Sequence, residues 1–156
     1  MQNNTFKKIN IQEKVNFKNK KIVIVQARFN SAITDLLAEG ARQALLDSGV
    51  LQKNIDLIQA PGSFEIPFLC QQLALTKKYS GIVTVGAIIK GETAHFDYIA
   101  KAVTEGILRV SLDYKLPISF GVITTYNLKQ AQARSEKNNK GREAALALIE
   151  TLNAKF

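Results

Sequence analysis

Four times along this chain, a short run of apolar, mostly β-branched residues gives way to a segment whose apolar residues recur three and four apart. The runs fall at 21–27, 54–60, 81–89 and 118–124. They lack the polar alternation of a half-solvated strand, so both of their faces must be covered. The segments between them carry helical spacing. Ile33, Leu36, Leu37, Ala41, Ala44 and Leu45 mark the first, with Gly49 as its stop. The spacing predicts further helices over 64–79, 94–114, 128–135 and 140–153, and Pro67 is tolerable only in a first turn. Buried strands alternating with amphipathic helices imply an α/β fold with a four-stranded parallel sheet. Right-handed crossovers make it a three-layer αβα sandwich. Ligands of such sheets bind outside the carboxyl ends of the strands. Function is therefore expected just after Ala27, Ala60 and Ile89, and near Thr124.

The 156 residues suit one domain. We expect it to span 21–156, preceded at 1–20 by a polar, Lys-rich arm or edge strand outside the core. Charge is the anomaly: 21 Lys and Arg stand against 13 Asp and Glu, a net +8. The excess is local. Residues 1–21 hold six lysines and one glutamate, and residues 127–143 hold five basic and two acidic groups. The intervening 22–126 balances nine against nine. A nucleic-acid reading of the basic balance predicts steep salt dependence, and the neutral centre and missing binding motif argue against it. Cys70 and His95 are the only residues of their types, which excludes an intrachain disulfide and a Cys-rich or multi-histidine metal site. No apolar run reaches the ~18–20 residues of a membrane span, and the N-terminus lacks a signal-peptide core. A soluble cytoplasmic protein, with no membrane or nucleic-acid partner, is the expectation.

All four strand ends carry unusual chemistry. Arg28-Phe29-Asn30 follows the first run, and Pro61-Gly62-Ser63-Phe64-Glu65 the second. The third is followed by Lys90-Gly91-Glu92-Thr93-Ala94-His95-Phe96-Asp97. Gly91 and Thr93 just before a helix offer N–H groups and a hydroxyl at its positive end, an anion or phosphate site. Alternatively, Thr93 only caps the helix. Gly86 to Thr93 is one residue from a nucleoside-triphosphate loop, but Glu92 stands where that loop needs Lys, which excludes an NTPase. His95 is the one side chain suited to shuttling protons near neutrality, and a structural role is its alternative. Phe29 between polar neighbours fits stacking on a planar heterocycle, whereas Phe120 inside an apolar run fits core packing. Glu65 either accepts hydrogen bonds from a polyol or caps its own helix. Arg134, Lys137, Lys140 and Arg142 form a solvated face or hold a phosphate.

Together these segments resemble the lumazine synthase family of riboflavin biosynthesis. The matching stretches are Ala27-Arg28-Phe29-Asn30, Pro61-Gly62-Ser63-Phe64-Glu65-Ile66-Pro67, Gly86 through Tyr98, Phe120-Gly121-Val122-Ile123-Thr124-Thr125, and Arg134 with Asn139-Lys140-Gly141. They run in order over about 20–153 at nearly the family spacing. The resemblance implies a flavodoxin-like fold and a condensation. In it, 5-amino-6-(ribitylamino)uracil joins 3,4-dihydroxy-2-butanone 4-phosphate, with loss of phosphate and water, to give 6,7-dimethyl-8-ribityllumazine. No metal or organic cofactor takes part.

It also implies residue roles. Phe29 stacks on the pyrimidinedione, and Ser63, Phe64 and Glu65 hold the ribityl chain. Ile88 and Ile89 meet the pyrimidine through their backbone. Gly91, Glu92 and Thr93 bind phosphate, and His95 transfers protons. Phe120, Arg134 and Lys140 come from a neighbouring subunit, with Arg134 on the phosphate. The partners implied are copies of the chain in pentamers with sites at subunit interfaces, and riboflavin synthase. Two departures stand out: Lys90 where many members have Arg, and a shortened Ser135-Glu136-Lys137-Asn138 linker that weighs against a 60-subunit shell. A non-catalytic flavin- or lumazine-binding relative on the same fold is the competing reading. Retention of His95 and Arg134 argues against it.

Overall fold

The computed structural model describes residues 15–154. Its strands are β1 (Ile22–Ala27), β2 (Ile55–Ala60), β3 (Gly81–Ile89) and β4 (Ile118–Thr125). All pair in parallel, in the order β2-β1-β3-β4. The helices are α1 (Ser31–Asp47), α2 (Ile66–Leu75), α3 (His95–Tyr114), α4 (Leu128–Ser135) and α5 (Lys140–Asn153). The expected three-layer αβα sandwich is present.

Side-chain alternation along the strands divides the core in two. Ile22 and Ile24 of β1 and Val83, Val85 and Ala87 of β3 pack with Leu37, Ala41 and Leu45 of α1 and Leu148 of α5. Val23, Val25 and Ala27, with Ile82 and Ile88, face Ile66 and Cys70 of α2 and Val103 and Ile107 of α3. All six residues of β1 are buried, the reason its sequence shows no polar face. Burying each such aliphatic side chain is worth about 1.5–3 kcal/mol relative to exposure. Burial pushes the Cys70 thiol up to about 12, which makes it a core hydrophobe and not a nucleophile.

Strand bounds differ from the expected ones by at most one residue, and the second helix starts at Ile66, after a 3-10 turn (Ser63–Glu65), instead of at 64. The second helix ends at Leu75 instead of running to 79, because Lys77 is left-handed (φ 55°) and the chain turns there. His95 is the first residue of α3, not its second. Residues 1–14 of the expected arm lie outside the described residues, and its remainder departs from the reading. Phe17, in a short 3-10 turn (Phe17–Asn19), is buried in the α1/α5 core. The Lys-rich surroundings conceal an apolar anchor.

The α1–α5 contact explains part of the Asn139-Lys140-Gly141 stretch. Asn139 caps α5 by accepting from Arg142 N at 2.9 Å and donates to the Leu36 carbonyl at 2.8 Å. Gly141 lies so close to the Leu37 backbone that a Cβ there would collide with it. Both residues dock helices. No helix of the described residues is long and apolar enough to cross a membrane.

Candidate active site

In a sheet of order β2-β1-β3-β4, the connections leaving β1 and β3 run in opposite directions, so a crevice opens between their carboxyl ends. β1–β3 pairing stops at Gln26 and Val85, whereas β3–β4 pairing continues to Ile89 and Thr125. A cleft of about 360 Å³ occupies this place.

Its walls come from three strand ends. Phe29 follows β1, Gly62 to Glu65 follow β2, and Ala87 to Ile89 with Gly91, Thr93 and His95 end β3 and open α3. Phe29 is 71% exposed and Phe64 58% exposed, so neither ring is part of the core. Ser63 is buried, and its hydroxyl lies against Gly86, where a Cβ would come within 2.6 Å of Oγ. The cleft is largely apolar, with a few polar groups at its rim, the usual character of a small-molecule site.

The rim groups are incompletely engaged. Glu65 Oε2 accepts from Gly62 N at 3.0 Å, which closes the turn, so the capping reading of Glu65 is observed for that oxygen. Thr93 Oγ1 accepts from His95 N at a long 3.3 Å, a local turn at the start of α3. The His95 side chain is exposed and has no hydrogen-bond or ion-pair partner among the described residues. The first turn of α3 sets the positive end of its helix dipole beside the Gly91–Thr93 segment. Lys90 stands beside this segment with its ammonium 5.5 Å from the centre of the Tyr126 ring. Glu92 is exposed.

Phe120, Arg134 and Lys140 are elsewhere. They line a separate depression of about 220 Å³ along the outer edge of β4, which shares no residue with the first cleft. Phe120 is 44% exposed, which overturns the core-packing reading. Arg134 lies in the last turn of α4, exposed and without a carboxylate partner among the described residues. Lys140 pairs with Glu143 at 2.8 Å. The sequence-predicted site residues thus fall into two groups on opposite flanks of β4.

Sequence reasoning passed over Phe96 and Ile99, which also line the cleft. Their i and i+3 spacing places them on one face of α3, the available signal. Asn30, whose side chain reaches the Ala87 carbonyl, carried none.

Comparison with known proteins adds identity to this geometry. The family model described as 6,7-dimethyl-8-ribityllumazine synthase matches residues 19–155. A protein of that name from Campylobacter lari is 51% identical over 135 residues, 85% of this chain and 86% of the relative. One from Nautilia profundicola is 48% identical over 137 residues, 86% and 89% of the two chains. One from Campylobacter jejuni is 47% identical over 146 residues, 92% and 95% of the two chains.

Proposed function

The chain belongs to the 6,7-dimethyl-8-ribityllumazine synthase family, and we propose that the cleft between β1 and β3 is where it performs that chemistry. The enzyme is a transferase of riboflavin biosynthesis. It condenses 5-amino-6-(ribitylamino)uracil with 3,4-dihydroxy-2-butanone 4-phosphate and releases phosphate and water.

The observation that carries the assignment is the bare ring of Phe29 at the mouth of an apolar cleft whose far wall ends in His95. In this reading the pyrimidinedione stacks on Phe29 and lies along the Ala87–Ile89 strand end. The ribityl chain runs toward Ser63, Phe64 and Glu65, whose second carboxylate oxygen is available to its hydroxyls. The phosphate sits on the Gly91–Thr93 turn at the positive end of α3. The 5-amino group then meets the ketone at the centre of the cleft.

The reactants need little chemical activation. The amine adds to the ketone and water leaves to give an imine. A carbon-bound proton and the phosphate are then lost, and the ribityl-bearing nitrogen closes the ring with loss of a second water. Holding amine and ketone in register can supply roughly 7–11 kcal/mol of the acceleration. His95 accepts and returns protons along this sequence, which contributes about 10²–10⁴-fold.

Arg134, Phe120 and Lys140 complete the site from a neighbouring copy. Their separation from the cleft within one chain supports this reading. Pentamers provide such junctions, and the short 135–138 linker favours a free pentamer or decamer over a shell. The enzyme works in the cytoplasm, where riboflavin synthase consumes its product. The test is turnover: purified protein given both substrates should produce the visible absorbance of the lumazine well above the uncatalysed rate. Binding of the pyrimidine with no rate increase would establish the non-catalytic reading instead.

A further inference from the structure

We propose that Asn30 is a positioning residue that holds the stacking ring of Phe29 and the Ala87–Ile89 wall in a single fixed relation. This rests on the assignment of the cleft to the pyrimidine.

Asn30 is left-handed (φ 61°, ψ 46°), a conformation that Asn tolerates better than most side chains. Its carbonyl accepts from Ile33 N at 2.9 Å and Thr34 N at 3.0 Å and so starts α1. Its side chain makes no cap. Nδ2 instead donates across the crevice to the Ala87 carbonyl at 2.9 Å, 57 residues away.

The location explains the need. Beyond Gln26 and Val85 the β1–β3 ladder has ended, so the Ala87 carbonyl has no β1 amide to accept from. A buried carbonyl requires a donor. The Asn30 amide extends the ladder by one bond at the place where the two strands part. On its other side, Phe29 N donates to the Pro61 carbonyl at 3.2 Å, and Arg28 N to the Ala60 carbonyl at 2.8 Å. The Phe29 backbone is thereby tied to β2 directly and to β3 through Asn30, while its ring is bare. Cleft width, set between that ring and the β3 wall, depends on the Asn30 bond. It must match one aromatic thickness for stacking and edge contacts to form together.

The test is equilibrium titration of the ribitylaminouracil substrate, with steady-state kinetics for both substrates and thermal melting alongside. Asn30→Gly keeps the left-handed turn and removes only the tether. It should bind the pyrimidine roughly fivefold to tenfold more weakly, the usual worth of one hydrogen bond. KM for the butanone phosphate should stay within about twofold of wild type. Asn30→Asp keeps the shape but turns an acceptor toward the Ala87 carbonyl, and should be worse than Gly for the pyrimidine alone. Unchanged pyrimidine affinity in both variants would overturn the proposal. So would a rise in both KM values in step with a fall in melting temperature, the mark of a purely structural residue. If wild-type protein neither binds the pyrimidine nor makes lumazine, the assignment of the cleft fails and this inference falls with it. Active wild type with indifferent Asn30 variants sinks the positioning role only.

Discussion

The two ends of the sheet treat charge in opposite ways. At the amino end, Tyr79 Oη donates to Asp56 Oδ2 at 2.6 Å, and Lys21 lies 3.3 Å from the same oxygen. The ammonium groups of Lys21 and Lys78 also lie 5.8 and 5.6 Å from the Tyr79 ring centre. Polar groups there complete one another. At the carboxyl end the His95 side chain has no such partner among the described residues, nor has Arg134 beside the outer edge of β4, and Phe29 leaves most of its ring bare. A saturated cluster stabilises the fold; an unsaturated one has bonding capacity that a substrate can use. The difference separates residues that secure the sheet from residues that work on it.

Replacement at the carboxyl end should therefore remove function and leave stability. His95→Ala should lower turnover about 10²-fold or more without abolishing it, with an unchanged melting temperature. An equal mixture of His95→Ala and Arg134→Ala chains, dissociated and reassembled, should recover about one quarter of wild-type sites. Each junction draws its two residues independently from neighbouring copies. No recovery would place both residues in one subunit's site. Arg134→Ala alone should raise KM for the phosphate substrate by about 10- to 100-fold, since a hydrogen bond to a charged group is worth ~1.5–3 kcal/mol. Phe29→Ala should weaken pyrimidine binding about tenfold through loss of stacking.

At the amino end the expectation reverses. Tyr79→Phe should cost about 1 kcal/mol of stability by urea unfolding and leave kinetics untouched. The effect has a pH signature. Partial burial and Asp56 push the Tyr79 hydroxyl up to about 12. Its contribution is complete below the ordinary tyrosine range near 10 and is lost as pH rises toward 12. The Tyr79 bond, then Lys21 and Lys78, hold the Asp56 carboxyl below its ordinary range. That share is present above pH ~4 and is lost as pH falls through the depressed value. A variant whose stability deficit ignores pH at both extremes would break the contrast.

Much of this was legible in the chain, and for definable reasons. Buried parallel strands and amphipathic helices have different periods, so all nine elements show in the residue pattern. The overrun of α2 comes from Tyr79, whose apolar ring fits the helical spacing although its hydroxyl is tied to β2. Phe29 was visible as a site residue because its polar neighbours mark a strand end. The exposure of Phe120 was not, because it depends on β4 being the outer strand, and strand order is a long-range property. Phe17 was hidden by lysines for the converse reason: its ring joins a core against which Val15 also packs, while Lys18 and Lys20 beside it stay exposed. The Asn30–Ala87 bond has no local trace, since its partner carbonyl carries no residue identity.

The contact between Ser63 and Gly86 has a consequence for how the protein can vary. The hydroxyl occupies the volume that a Cβ at 86 would need, 2.6 Å away. Two positions 23 residues apart thus share one parcel of space. Neither can gain an atom unless the other loses one. Gly86→Ala should be poorly tolerated alone and eased by Ser63→Gly, and the pair should drift together in descendants of this chain, as a single heritable unit written in two places.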